Sequence, residues 1–198
     1  MLHYEIIHYC DIPPEQKRNL AVALTSLHCR TFSAPSIFVN VTFQHYTSEG
    51  WTAGKLGCCQ TVFVGGRRVH TNYIHAHIRP RTPHNQAKLN TLTTEIMRLW
   101  DEIIVRSKPS RGSRYKPKEP PGRLGESRAL HNVFIMQDIA AGAEQGFILP
   151  IAGEDGKWIE ENMAEFERRA KDGDESMRAL AEEVKTGLGS GPVLKSKL

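Results

Sequence analysis

His3-Tyr4-Glu5-Ile6-Ile7-His8-Tyr9, the Pro13-Pro14-Glu15 that follows, and Ile37-Phe38-Val39-Asn40-Val41-Thr42-Phe43 together decide the fold. The first stretch mixes β-branched and aromatic residues and reads as a strand. Pro13-Pro14-Glu15 opens a helix, because proline is tolerated in the first turn and an acid is favoured at the positive end. Leu20, Leu24 and Leu27 follow at helical spacing, so residues 14–31 are expected to form an amphipathic helix that ends at Ser33-Ala34-Pro35-Ser36. The third stretch is a strand apolar enough to be covered on both faces. One β-α-β unit is complete by Phe43.

The order then repeats. A short strand at 60–64 and a turn at Gly65-Gly66 lead to a strand over 69–78 and a turn at Arg79-Pro80-Arg81-Thr82-Pro83. Leu89, Leu92, Ile96, Leu99 and Ile103 place a helix over 85–105, and Asn132-Val133-Phe134-Ile135-Met136 is the closing strand. Two such units side by side give an α+β fold, a four-stranded mixed sheet with two helices on one face. The other face is expected to be apolar and to be covered by assembly of copies around a shared axis. Two apolar stripes follow Pro150, one of Trp158, Ile159, Met163 and Phe166, the other of Met177, Leu180, Ala181, Val184 and Leu188. The chain therefore divides into a double β-α-β domain over 1–150 and a helical extension over 151–198. That extension is expected to pack on the core or on a neighbouring subunit.

Composition supports a globular protein: 198 residues, 39% hydrophobic and 24% charged. No apolar run approaches the roughly 18–20 residues of a membrane span, and His3, Glu5 and His8 interrupt any signal sequence. A cytoplasmic protein with no membrane contact is expected. Cys10, Cys29, Cys58 and Cys59 match neither a zinc spacing nor a secreted disulfide framework, so reduced thiols are expected. The net charge of +4 is concentrated in one segment: residues 106–128 hold eight basic side chains against Glu119 and Glu126. With Tyr115 as its one aromatic and no RNA-binding motif, this segment reads as an inserted surface loop in preference to a nucleic-acid arm.

The landmarks come in an ordered series. Tyr4-Glu5-Ile6 heads the first strand, Pro14-Glu15-Gln16-Lys17 opens the helix and His28-Cys29-Arg30-Thr31-Phe32 closes it. Ala34-Pro35-Ser36, Phe38-Val39-Asn40-Val41, Phe63-Val64-Gly65-Gly66, His77-Ile78-Arg79-Pro80 and Glu144-Gln145-Gly146-Phe147-Ile148-Leu149-Pro150 follow. Over about residues 2–185 the series resembles the cis-3-chloroacrylic acid dehalogenase-like branch of the tautomerase superfamily, in its fungal form. The resemblance implies a homotrimer of fused β-α-β pairs, no metal and no organic cofactor. It also implies acid–base chemistry in which an amino-terminal proline nitrogen moves a proton, arginines hold a substrate carboxylate and a glutamate activates water.

As a lone residue His28 reads first as a half-buried histidine bonded to a carbonyl; carried onto this sequence, the resemblance makes it a substrate contact. Its place near the carboxyl end of a helix favours a protonated ring. Arg79 matches the first carboxylate-binding arginine, and Arg81 the second with a spacing shorter by one. Two guanidinium groups in a stiff turn suit a planar carboxylate. Glu144 matches the water-activating glutamate. Phe134 stands where hydrating members carry a tyrosine, and it has no hydroxyl. Leu2 stands in place of the proline. Leu2 is too bulky for ordinary methionine removal, so Met1 is expected to remain as a primary amine displaced by about one residue, roughly 3.3 Å of chain. A displacement of about 1 Å can already cost about 100-fold. The expectation is a pocket for a small 2-oxo or unsaturated acid with proline-dependent activity weak or lost, or a non-catalytic ligand-binding or assembly module of the same fold.

Overall fold

The computed structural model describes residues 2–47, 58–81, 85–106 and 123–188, with the side chains of Cys58 and Cys59 outside that description. Strand β1 (Leu2–His8) leads into α1 (Pro14–Phe32), with Pro14 at the helix start and Glu15 in its first turn. Leu20, Leu24 and Leu27 are buried, as their spacing demands. The helix closes on Ser33 in the left-handed conformation (φ +52°), a cap usually given to glycine. Ile37 and Phe38, expected to begin the next strand, lie instead in a 3-10 turn over Ser36–Phe38, and β2 covers Val39–Thr47.

A two-residue strand β3 (Cys58–Cys59) extends the edge of β2, and β4 (Val62–Val64) pairs with β5 (Arg67–Val69) across Gly65-Gly66. Both glycines have positive φ (+57° and +75°), which a tight hairpin turn requires. Strand β6 (Tyr73–Ile78) then begins afresh, so the expected strand over 69–78 is two strands separated by a break. Helix α2 (Gln86–Trp100) is capped by the Asn85 side chain, which accepts from the Lys88 amide at 2.9 Å. Its last expected turn widens to a π turn over Asp101–Val105 before β7 (Asn132–Met136). A hairpin of β8 (Ala143–Glu144) and β9 (Phe147–Ile148) precedes α3 (Asp155–Lys171) and α4 (Glu175–Thr186).

The sheet order is β3-β2-β1-β6-β7. β1 runs parallel to β2, β6 runs parallel to β7, and β1 and β6 pair antiparallel at the centre. The four-stranded mixed sheet with its two helices is therefore the expected α+β arrangement, with β3 as a short addition. Leu2, Tyr4, Ile6, Ile74, Ala76 and Ile78 face the helices and join Leu20, Leu24, Leu92, Ile96 and Trp100 in the main core. A second core gathers Phe38, Phe147, Trp158, Ile159, Phe166, Met177 and Leu180 between the 3-10 turn, β9, α3 and α4. Among the described residues no helix is long and apolar enough to cross a membrane.

The uncovered face differs from expectation. It presents His3, Glu5, Asn40, Thr42, Gln44, Tyr73, His75, His77 and Phe134, because strand alternation sends each second residue away from the helices. β2, expected to be covered on both faces, alternates half-buried and exposed residues along Val39–Gln44. That face is polar and rich in histidine.

Two buried polar groups tie the connections together. Asn72 is fully buried in the break before β6; its Oδ1 accepts from the Tyr9 and Cys10 amides at 2.9 and 3.1 Å. Its Nδ2 donates to the Ser127 and Ala129 carbonyls, both at 2.8 Å. Arg128 donates to the carbonyls of Ile104 and Asp11 and to Gln16 Oε1, so it uses the carbonyl direction that the π turn exposes. Arg106 pairs with Asp101 at 2.6 Å. Two of the eight basic residues in 106–128 thus anchor the ends of the insertion, while 107–122 lie outside the described residues. Cys10 and Cys29 are free and buried, and burial pushes their thiols up to about 11 and about 12, which makes them poor nucleophiles. Asn72→Ala orphans two amides and two carbonyls in the interior. It should lower unfolding free energy by about 3 kcal/mol or more, measured by urea titration; a loss under about 1 kcal/mol would contradict the assigned role.

Candidate functional site

Four elements bring chemistry-bearing side chains to the start of β1. Leu2 pairs with Val39 of β2 and Ile78 of β6, so the residues that follow β6 emerge beside it. The last turn of α1 supplies His28 and Phe32, both buried. Arg79 and Arg81 follow β6 directly. β8 supplies Glu144, which is tied to the sheet by a 2.5 Å hydrogen bond from Asn40 Nδ2 of β2.

Arg79 is not free. Its guanidinium donates to Asp155 Oδ1 at 2.5 Å and to the Pro150 carbonyl at 2.6 Å, and both partners of the ion pair are only 9% exposed. Asp155 is the first residue of α3, where an acid also meets the positive end of the helix. The carboxylate on the expected anion-binding arginine is thus one that the chain itself provides. Arg81, in contrast, makes no ion pair among the described residues. Its guanidinium lies 4.5 Å from the centre of the Phe32 ring, and the Lys88 ammonium lies 5.0 Å from the same ring. Arg79, Arg81 and Lys88 against Asp155 leave the neighbourhood of His28 rich in positive charge.

That charge decides the state of His28. Burial first, and then the nearby Arg81 and Arg79, hold its imidazole well below the ordinary histidine range. The protonated ring expected from the helix dipole is overturned, because desolvation and three neighbouring cations outweigh one helix end. The neutral ring packs on Phe32 (centroids 4.6 Å apart) and edge-on to Tyr4 (6.4 Å). Its Nδ1 and the Tyr4 hydroxyl are buried with no hydrogen-bond partner among the described residues, and so is Glu144 Oε2. Orphaned polar atoms of this kind cost about 1–3 kcal/mol each and call for an explanation. Burial also raises the Glu144 carboxyl above the usual carboxylate range, against the pull of the Asn40 hydrogen bond. A raised carboxyl is better matched to proton transfer near neutrality.

Leu2, His28, Arg79, Arg81 and Glu144 are therefore brought to one end of the sheet, while Met1 lies outside the described residues. Phe134 stands apart. It sits in the middle of β7, opposite His75, half exposed on the open face, with its ring 5.7 Å from the His75 ring. The sequence reading missed Asp155, Asn40, Phe32 and Lys88. Asp155 carries a legible signal as an acid opening a helix, but nothing in the sequence ties it to Arg79. The cavity of about 460 Å³ lined by Tyr9, Arg68, His70 and Leu124 lies elsewhere, beyond the other end of β1.

No protein-family model matches this sequence, and no curated protein matches it. Solved structures do resemble the fold. One is N1, a member of the cis-3-chloroacrylic acid dehalogenase family, 21% identical over 86% of this chain and 99% of that one, with a TM-score of 0.55. RhCC from Rhodococcus jostii RHA1 is 17% identical over 81% and 96% of the two chains, with a TM-score of 0.46. A macrophage migration inhibitory factor-like protein from Entamoeba histolytica is 12% identical over 75% and 98%, with a TM-score of 0.43.

The histidine gives a pH signature. A histidine held below its unfolded value of 6.5 binds its proton more weakly when folded, so the stability linked to it is complete above about pH 6.5 and is lost as pH falls below that value. His8 and His131 are shifted the same way and contribute with the same sign. The fall in urea midpoint between pH 7.5 and 5 should therefore be shallower in His28→Gln than in the native chain, and parallel slopes would contradict a buried neutral ring. The structural likeness to N1 gives the chain the fold of the tautomerase superfamily, two fused β-α-β units with helices added at the carboxyl end.

Proposed function

We propose that this chain is a tautomerase-superfamily protein of the cis-3-chloroacrylic acid dehalogenase-like kind, with a pocket at the start of β1 that takes the carboxylate of a small 2-oxo or unsaturated acid. The observation that carries the reading is the unpaired guanidinium of Arg81 beside the neutral His28, whose Nδ1 is buried without a partner. An anionic ligand there gains a charged hydrogen bond from Arg81. The same ligand's hydroxyl can donate to His28 Nδ1. Arg79 contributes positive field but reaches a ligand directly only by releasing Asp155.

Catalysis of the proline type is weak or lost in this reading. Leu2 is fully buried, with its side chain in the main core, and it brings no ring nitrogen to the pocket. Glu144, with a raised carboxyl and a free buried oxygen, remains as a proton-transfer group. The alternative, a non-catalytic ligand-binding or assembly module, is favoured by the closed Arg79–Asp155 pair, which reads as a structural tie. In either reading the chain works as a cytoplasmic homo-oligomer, a trimer by resemblance, with no membrane contact. Exposed Phe63, Phe134, Ile148 and Ile151 support association between copies. The segment over 151–198 is read as an extension whose Asp155 shapes the pocket.

Calorimetric titration with phenylpyruvate tests the pocket. Arg81→Ala should weaken binding by about tenfold or more, since a charged hydrogen bond is worth about 1.5–3 kcal/mol and each tenfold is about 1.4. Equal affinity in the native chain and Arg81→Ala sinks the reading. Turnover of phenylenolpyruvate separates the two versions. A native chain at the uncatalysed rate, with a Leu2→Pro chain well above it, identifies the missing amine as the only defect; a folded Leu2→Pro chain with no turnover favours the non-catalytic module.

A further inference from the structure

The open face of the sheet carries a second constellation, unrelated to the pocket at the start of β1. Glu5 of β1 faces His75 of β6 in the antiparallel register, and His3 faces His77. All four side chains project away from the helices, because they alternate with the core residues Leu2, Tyr4, Ile6, Ala76 and Ile78. Glu5 Oε2 lies 3.6 Å from His77 Nε2 and 3.8 Å from His75 Nδ1, and these three donor atoms all fall within 4.8 Å of one another. His3 Nδ1 stands 3.9 Å from the other oxygen of Glu5.

These separations are too long for hydrogen bonds, which close at about 2.7–3.2 Å. Two ligands held at about 2.0–2.1 Å from one ion at a tetrahedral angle lie about 3.4 Å apart, close to the observed spacing. A second observation concerns His77. Its Nδ1 is 2.7 Å from Asp138 Oδ2, and its Nε2 is buried with no hydrogen-bond partner among the described residues. A carboxylate on Nδ1 holds the proton there and leaves Nε2 as a bare lone pair, the arrangement that presents an imidazole to a metal. That lone pair points to the side from which Glu5 approaches. His3 Nε2 is engaged by Thr42 Oγ1 at 2.9 Å, which fixes the ring beside Glu5.

We infer that Glu5, His75 and His77 form a site for a divalent first-row transition ion, zinc in the first instance, with Asp138 as the positioning partner of His77. Two imidazoles and one carboxylate suit zinc, cobalt or nickel, and they disfavour magnesium and calcium, which demand oxygen. The ion sits on the open face of the sheet, and three protein ligands leave it a coordination position for water or a further ligand.

Calorimetry with zinc on the full chain, repeated with cobalt by visible absorption, tests the site. The expected result is one ion per chain and a four-coordinate cobalt spectrum without thiolate charge-transfer bands. Glu5→Gln and His77→Ala should weaken zinc by about tenfold or more, and Asp138→Asn by about 10–100-fold with stoichiometry retained. Glu5 and His77 lie on the open face outside the core, Asp138 is exposed after β7, and far-ultraviolet circular dichroism checks that each variant is folded. Uptake that persists in a folded Glu5→Gln, His77→Ala double variant overturns the assignment. So does a thiolate spectrum, a stoichiometry of one ion per three chains, or absence of binding.

Discussion

The central position of β1 constrains everything else. From Leu2 to Ile7 it is paired on both sides, parallel to β2 and antiparallel to β6, so neither edge is open. A strand in that position can carry information only on its two faces, and its residues divide strictly between them. Leu2, Tyr4 and Ile6 are fully buried under α1 and α2, whereas His3 and Glu5 stand on the other side. A slip of one residue would put a glutamate and a histidine into the main core and three apolar side chains outside, so the register is held by burial alone. The start of β1 is consequently a fixed point, and β6, α1 and β8 deliver their polar residues to it.

The Arg79–Asp155 pair is the next most consequential contact. A buried pair rarely adds much net stability over apolar packing, but removing one partner strands the other charge at a cost of about 3–5 kcal/mol. The pair therefore fixes the start of α3 against the end of β6, and with it the second core built on Trp158 and Phe166. On the other side of the 3-10 turn, Glu183 of α4 accepts from the Ser36 amide at 3.1 Å and from its hydroxyl at 2.6 Å. The two carboxyl-terminal helices are thus held to the sheet by acids as well as by apolar burial. The Arg79 guanidinium is thereby occupied by the chain's own carboxylate, while Arg81 makes no ion pair among the described residues.

Elements were legible in the sequence where a period was long and continuous. α1 and α2 follow from leucine and isoleucine spacing, and the β-α-β order follows from their alternation with apolar strands. The polar open face was also written there, in Asn40, Thr42 and Gln44 and in His75 and His77, but Val39, Val41 and Phe43 dominate a reading by mean apolarity where alternation is the relevant property. The break before β6 escaped notice because Asn72 acts through partners at Tyr9, Cys10, Ser127 and Ala129, none of them near it in sequence. The π turn escaped for a similar reason: Ile103 keeps helical spacing, while the carbonyl of Ile104 is turned to Arg128. In the candidate site, Leu2, His28, Arg79, Arg81 and Glu144 could be aligned by order along the chain. The occupancy of Arg79 could not, since 76 positions separate it from Asp155.

The same alternation divides the unpaired polar groups around one strand between its two faces. Tyr4 and His28 leave unpaired polar atoms in the helix layer, and on the open face His77 Nε2 is unpartnered while its Nδ1 is held by Asp138. The sheet backbone lies between them. Tyr4 and Glu5 are adjacent in the chain yet lie in opposite environments, Tyr4 fully buried under the helices and Glu5 on the open face, because a strand turns consecutive residues to opposite sides.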